Sequence, residues 1–130
     1  MMGYLKLEEV MEQHLLGSWR IRSRQVNSSN LSNVFAGFTC IQFKEKVFVG
    51  SNGKRRKGTW EIIREEEMIY NPQVKFYLGK TITINSIITN LMTVSQTEYR
   101  LILYFDTGME LVLEKDDSLD LCKQKLPLQF

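Results

Sequence analysis

Apolar and polar residues alternate with a period of two through much of this chain, beginning at Trp19. Trp19, Ile21 and Ser23 fall on one face of the first alternating stretch, with Arg20, Arg22 and Arg24 on the other. Successive side chains of a strand point to opposite sides, so this spacing predicts a strand with one buried and one wet face. The pattern recurs. Within 35–43, Thr39, Ile41 and Phe43 share a face, and from Arg56 to Ile63 Gly58, Trp60 and Ile62 do. From Tyr99 to Phe105 the shared face is Tyr99, Leu101, Leu103 and Phe105, and from Met109 to Lys115 it is Met109, Leu111 and Leu113. Shorter strands are predicted at Val47–Val49 and Met68–Tyr70, and the β-branched run from Lys80 to about Val94 favours extended backbone.

The breaks between these stretches are turn chemistry. Asn52-Gly53 tolerates the positive φ of a tight hairpin, and Asp106-Thr107-Gly108 closes another. Asn27–Asn30 and Glu65–Glu67 read as turns, and Asn71-Pro72 ends a strand because proline cannot donate to a ladder. Eight consecutive strands with short connections and one apolar face make an antiparallel meander, and closing it removes its edges. Ahead of them, Leu7, Val10, Met11, His14 and Leu15 recur at helical spacing and stop at Gly17. The expected fold is all-β: an eight-stranded antiparallel up-and-down barrel over 17–115, with an N-terminal helix within 1–16 covering one end and an apolar tail over 116–130. Leu119, Leu121, Leu126, Leu128 and Phe130 in that tail either pack back on the barrel or grip a partner.

Composition adds few constraints. At 130 residues with 43% hydrophobic and 25% charged side chains, the chain is the size of one globular domain, and its net charge of +2 is too small to imply a polyanionic partner. No run reaches the about 18 apolar residues of a transmembrane helix. Residues 1–9 lack a basic stretch followed by an apolar one, so the chain read as complete is expected in the cytoplasm, and a removed leader would reverse that to secretion. Cys40 and Cys122 fit no metal spacing. Free buried thiols are the reading that goes with a cytoplasmic chain, although a bridge between them is geometrically open.

Leu16-Gly17-Ser18-Trp19-Arg20-Ile21, Gly58-Thr59-Trp60-Glu61-Ile62 and the hairpin Leu101–Tyr104 to Leu111–Lys115 together resemble the bacterial lipocalin-like domains, small relatives of the lipocalin and fatty-acid-binding barrels. The likeness spans roughly residues 15 to 115. It implies that Gly17 lets the backbone pass close beneath the barrel, that Trp19 plugs the closed end, and that Lys115 lies over the indole in a cation–π contact, where arginine is more usual. Fatty-acid-binding proteins insert a helix–turn–helix after their first strand. Residues 26–34 are too few for one, so that family's carboxylate site is not carried over.

Candidate chemistry is sparse. His14 is the single histidine and has no companion ligands, so no catalytic set and no metal site is expected, and no cofactor. The basic run Lys54–Lys57 reads as a soluble hairpin tip. With the arginines of the first strand it could instead meet nucleic acid or an acidic partner, but the aromatics are not interleaved with it. The inward face is the candidate site: Ser23, Thr39, Val49, Trp60, Ile62, Tyr70, Ile84, Leu101, Leu103 and Leu111. An eight-stranded barrel is either filled by its side chains or holds one small ligand. The leading expectation is a non-enzymatic barrel binding a small apolar molecule, with Ser23, Thr39 and the Tyr70 hydroxyl orienting it. The alternative is a filled barrel that docks a protein partner through its outer face or its tail.

Overall fold

The computed structural model describes residues 3–26, 34–64 and 71–123. Its strands are β1 (Gly3–Tyr4), β2 (Gly17–Val26), β3 (Cys40–Lys44), β4 (Val47–Ser51), β5 (Arg55–Ile63), β6 (Gln73–Leu78), β7 (Ile82–Thr93), β8 (Glu98–Phe105) and β9 (Met109–Asp116). Antiparallel neighbours follow the order β1-β7-β6-β5-β4-β3-β2-β9-β8, and β7 also pairs with β8. That last pairing closes β2 to β9 into an eight-stranded barrel, as the alternation predicts. β7 is long enough at 12 residues to serve two neighbours in turn. Residues 82–87 pair with β6, and β1 takes over on the same side at Met92 and Thr93.

The N-terminal segment is not the expected helix. It holds 3₁₀ turns at Leu7–Glu9 and Glu12–His14. A helix this short is marginal on its own, so tertiary contacts decide its form. Here Val10 and Leu15 are drawn fully into the core, and the strap is tied down at two points. The Arg64 guanidinium donates to the carbonyls of Leu7 and Val10, and the Glu12 carboxylate accepts the Ile62 N–H at 3.2 Å. His14 Nδ1 accepts the Met11 N–H at 2.9 Å, a turn cap that accounts for the lone histidine.

Two strand boundaries also differ from the sequence pattern. The strand expected over 35–43 begins only at Cys40, because Val34–Gly37 forms a 3₁₀ turn. Side chains three apart on such a turn lie on one side, so Phe35 and Phe38 both enter the barrel. The expected strand Met68–Tyr70 and the turn Glu65–Glu67 lie outside the described residues. The barrel's strand in this region is β6, after the proline, with Val74, Phe76 and Leu78 facing in.

The core is aromatic. Phe35 has its ring centre 4.4 Å from that of Phe76, 5.1 Å from Phe38 and Phe105, and 5.6 Å from Phe48. Phe43 meets Trp60 edge-on at 4.8 Å. Gly50 sits opposite Ile41 and makes room for this cluster: a Cβ there would lie 2.1 Å from the Phe38 ring. Two substitutions test this packing by urea unfolding. Phe35→Ala should cost about 3–5 kcal/mol, the usual loss for a buried phenylalanine. Gly50→Val should destabilise comparably by driving Phe38 out, whereas an unchanged midpoint for either would show that the rings are not packed here.

Candidate functional site

Of the ten residues expected to line the interior, six do. Trp60, Ile84, Leu101, Leu103 and Leu111 are buried in the core cluster, and Ile62 packs against it. Ser23 does not. A β-bulge shifts the register between Ile21 and Ser23, and everything beyond it changes face. Ser23 then pairs with outward Val112, while Arg24 and Val26 stand opposite buried Leu111 and Met109. Arg24 therefore leaves the outer arginine face and donates to the Phe38 carbonyl at the mouth.

Thr39 is exposed ahead of β3, its hydroxyl donating to the Ser51 carbonyl at 3.1 Å. Val49 pairs with Gln42 on the outer face and is covered there by the segment after β9, with Asp120, Cys122 and Lys123 around it. Tyr70 lies outside the described residues. The hydroxyls of Ser23 and Thr39 thus face away from the interior.

Among the described residues, Ser86 and the two indole N–H groups reach the core and each is hydrogen-bonded to backbone. Ser86, missed in the sequence because it interrupts an apolar row, is 3% exposed and donates to the Val74 carbonyl at 3.0 Å. The Trp60 indole N–H is shared between the carbonyls of Lys44 and Val47 at 2.8 and 3.2 Å. The Trp19 N–H reaches the Leu15 carbonyl at 2.7 Å.

The floor brings Gly17, Trp19 and Lys115 together. Gly17 adopts φ +124°, and a Cβ on it would lie 2.8 Å from Lys115 Cδ, so both backbone and space require glycine. Lys115 Nζ is 5.0 Å from the Trp19 ring centre and 5.1 Å from that of Tyr99, and it donates to the Leu16 carbonyl at 2.9 Å. Burial holds this ammonium below the ordinary lysine range, partly opposed by the Asp117 carboxylate at 3.8 Å. The same carboxylate pushes the Tyr99 phenol up.

On the outer wall the Arg20 guanidinium grips Glu114 through two nitrogens at 2.9 and 2.7 Å, and Arg22 adds a third contact at 3.2 Å. Beside them Cys40 and Cys122 form a disulfide across 82 residues, not the free thiols expected. The sequence could not show this, because only folding brings the end of β9 back beside β3. The bridge pins the segment 117–123 to the barrel wall, and that much of the apolar tail packs back. Residues 124–130 lie outside the described residues.

Among the described residues, surface grooves of about 350, 300 and 290 Å³ are present. The first runs beneath the floor between Gly17 and Asp120, and the third flanks the disulfide. The second lies on the outer wall between Gln73, Asn85, Ile87, Tyr104 and Asp106. Among the described residues no group of His, Cys, Asp and Glu side chains is placed to hold a metal ion, and no helix is long and apolar enough to cross a membrane. No family model, curated protein or solved structure matches this chain.

Replacing Lys115 by Met should lose about 1–2 kcal/mol of stability with a shift in Trp19 fluorescence, the range of a partly desolvated cation–π contact. Unfolding with and without reductant should separate by about 2–4 kcal/mol, since opening the Cys40–Cys122 bridge frees a long loop in the unfolded chain. Coincident curves would place the two thiols apart.

Proposed function

We propose that this protein is a non-enzymatic interaction module whose barrel is filled by its own side chains and whose outer wall docks a protein partner. The observation that carries this reading is the place of Phe35. Its ring occupies the barrel axis among Phe48, Phe76 and Phe105, the space a bound molecule would need. The orientation of Ser23 and Thr39 supports it, since an apolar ligand held without a few directed polar groups would lack a defined pose.

The docking surface we assign is the outer face of β7, β8 and β9. There Ile102 stands opposite Val112, and Ile87 opposite Tyr104. All four are only partly covered. Arg100, Glu110, Glu114 and Asn90 surround them on the same strands, which gives an apolar, aromatic centre with a polar rim. The groove beside Tyr104 adds a concave edge.

A second reading, interior binding of a small apolar molecule, rests on one observation. Phe35 comes from a 3₁₀ turn, so it is a core ring that can leave without breaking strand pairing. A ligand in its place would meet Phe38, Phe48, Phe76 and Phe105. The lipocalin-like family remains the resemblance that this architecture fits. The disulfide favours an oxidising compartment over the cytoplasm, where such bonds are rarely kept.

Native mass spectrometry of the protein purified from its own source separates the readings. The interaction reading expects a bare polypeptide or a complex with another protein, and Tyr104→Glu with Ile102→Asp should release that partner while the barrel stays folded. An added mass of a few hundred daltons, lost on denaturation, would overturn it in favour of the ligand-binding barrel.

A further inference from the structure

One end of this barrel carries a clear excess of cations. Hairpin connections alternate between the two ends, and those at 52–54, 79–81 and 106–108 share one end with the last residues of β2. This mouth gathers Arg24, Lys54, Arg55, Arg56, Lys57 and Lys80, with Asp106 and Glu110 the carboxylates near it. The floor is mixed: Glu8, Glu9, Glu12, Glu45, Glu98, Asp116 and Asp117 lie there with Lys6, Lys44, Lys46, Arg64 and Lys115. A net charge of +2 conceals the cationic mouth. Among the described residues the ion pairs involve Arg20, Arg22 and Lys115, and none of the cations at the mouth.

A second observation comes from the same end. Val26 and Ile82 are 40% and 47% exposed. Both continue inward-facing rows: Val26 stands opposite Met109, and Ile82 precedes Ile84 by one full period. Beyond the level of the phenylalanine cluster such positions have no core to enter, so these aliphatic side chains stand at the rim within a ring of cations.

We infer that the mouth of the barrel docks on an anionic lipid surface, a role separate from the partner-binding wall proposed above. Lysine and arginine near a negatively charged leaflet each strengthen binding about fivefold. Aliphatic groups that enter the headgroup boundary add apolar burial. Single-stranded nucleic acid would call for aromatic stacking faces among the bases. Among the described residues the exposed large apolar groups at the mouth are aliphatic, and the outward aromatics Tyr77 and Tyr104 lie on the wall, the Tyr77 hydroxyl donating to Glu61.

The test is sedimentation of the purified, oxidised protein with large vesicles of phosphatidylcholine alone, or of phosphatidylcholine mixed with phosphatidylglycerol. The protein should pellet with the anionic vesicles, remain in solution with the neutral ones, and be released by high salt. Reversing the hairpin charges (Lys54→Glu, Arg55→Glu, Arg56→Glu) should weaken binding by about a hundredfold or more. Ile82→Ser with Val26→Ser should weaken it at every salt concentration without changing the salt dependence. Circular dichroism checks that each variant keeps the barrel, and Ile82→Ser alone serves if the double variant does not. Equal pelleting with both vesicle types, pelleting with neither, or binding to a labelled oligonucleotide without binding to anionic vesicles would each overturn the inference. So would full anionic binding by the folded serine variant, because the rim would then have no apolar part in it.

Discussion

Eight strands wound into a barrel enclose a space that something must fill, and a void there forfeits contact for every side chain around it. In this protein the strands supply most of that filling, and residues from outside them complete it. Phe35 and Phe38, three residues apart on one 3₁₀ turn, reach in from the mouth and complete a cluster whose other rings come from β4, β6 and β8. Several other features are conditions of that insertion. Gly50 lacks a side chain where the Phe38 ring lies. The bulge in β2 turns Arg24 toward the mouth, where its guanidinium holds the Phe38 carbonyl in place.

The opposite end is closed by a different device. Trp19 and Leu15 are fully buried there, with the N-terminal strap beneath them and Lys115 laid over the indole. Arg64 and Glu12 fasten the strap by hydrogen bonds rather than by helical packing. On the function proposed above, recognition falls to the outer surfaces of a barrel that is occupied along its axis. Those surfaces are of two kinds: a wall with an apolar, aromatic centre around Tyr104, and a cationic mouth with aliphatic residues at its rim. The Cys40–Cys122 bridge makes residues 117–123 part of the wall near β3.

The architecture was legible because strand alternation is local. Trp19 and Ile21, Trp60 and Ile62, Leu101 to Phe105 and Met109 to Leu113 each face where their spacing places them. What escaped was non-local. A bulge is invisible in Arg-Ile-Arg-Ser-Arg, yet it moves Ser23 out and Arg24 in. The helical spacing over Leu7 to Leu15 misled: Leu7, Val10 and Leu15 meet the core from a strap and Met11 is exposed, the strap being held by an arginine some fifty residues away (separations of 57 and 54). Val49 is apolar because the end of the chain covers it, not because it lines the barrel. The disulfide depends on two segments that only the closed barrel brings together. One signal was present and undervalued: Phe35 and Phe38, spaced for a turn rather than for a strand, beside Gly37.

The central claim is that the barrel interior is occupied by the protein's own rings. Its most direct test is titration of the folded, oxidised protein with an apolar fluorophore that brightens on leaving water, alongside the folded Phe35→Ala variant. The account predicts no saturable uptake by the wild-type barrel and stoichiometric uptake by the variant, whose cavity is lined by Phe48, Phe76 and Phe105. Saturable, stoichiometric uptake by the wild-type protein, displaced by other apolar molecules, would contradict it.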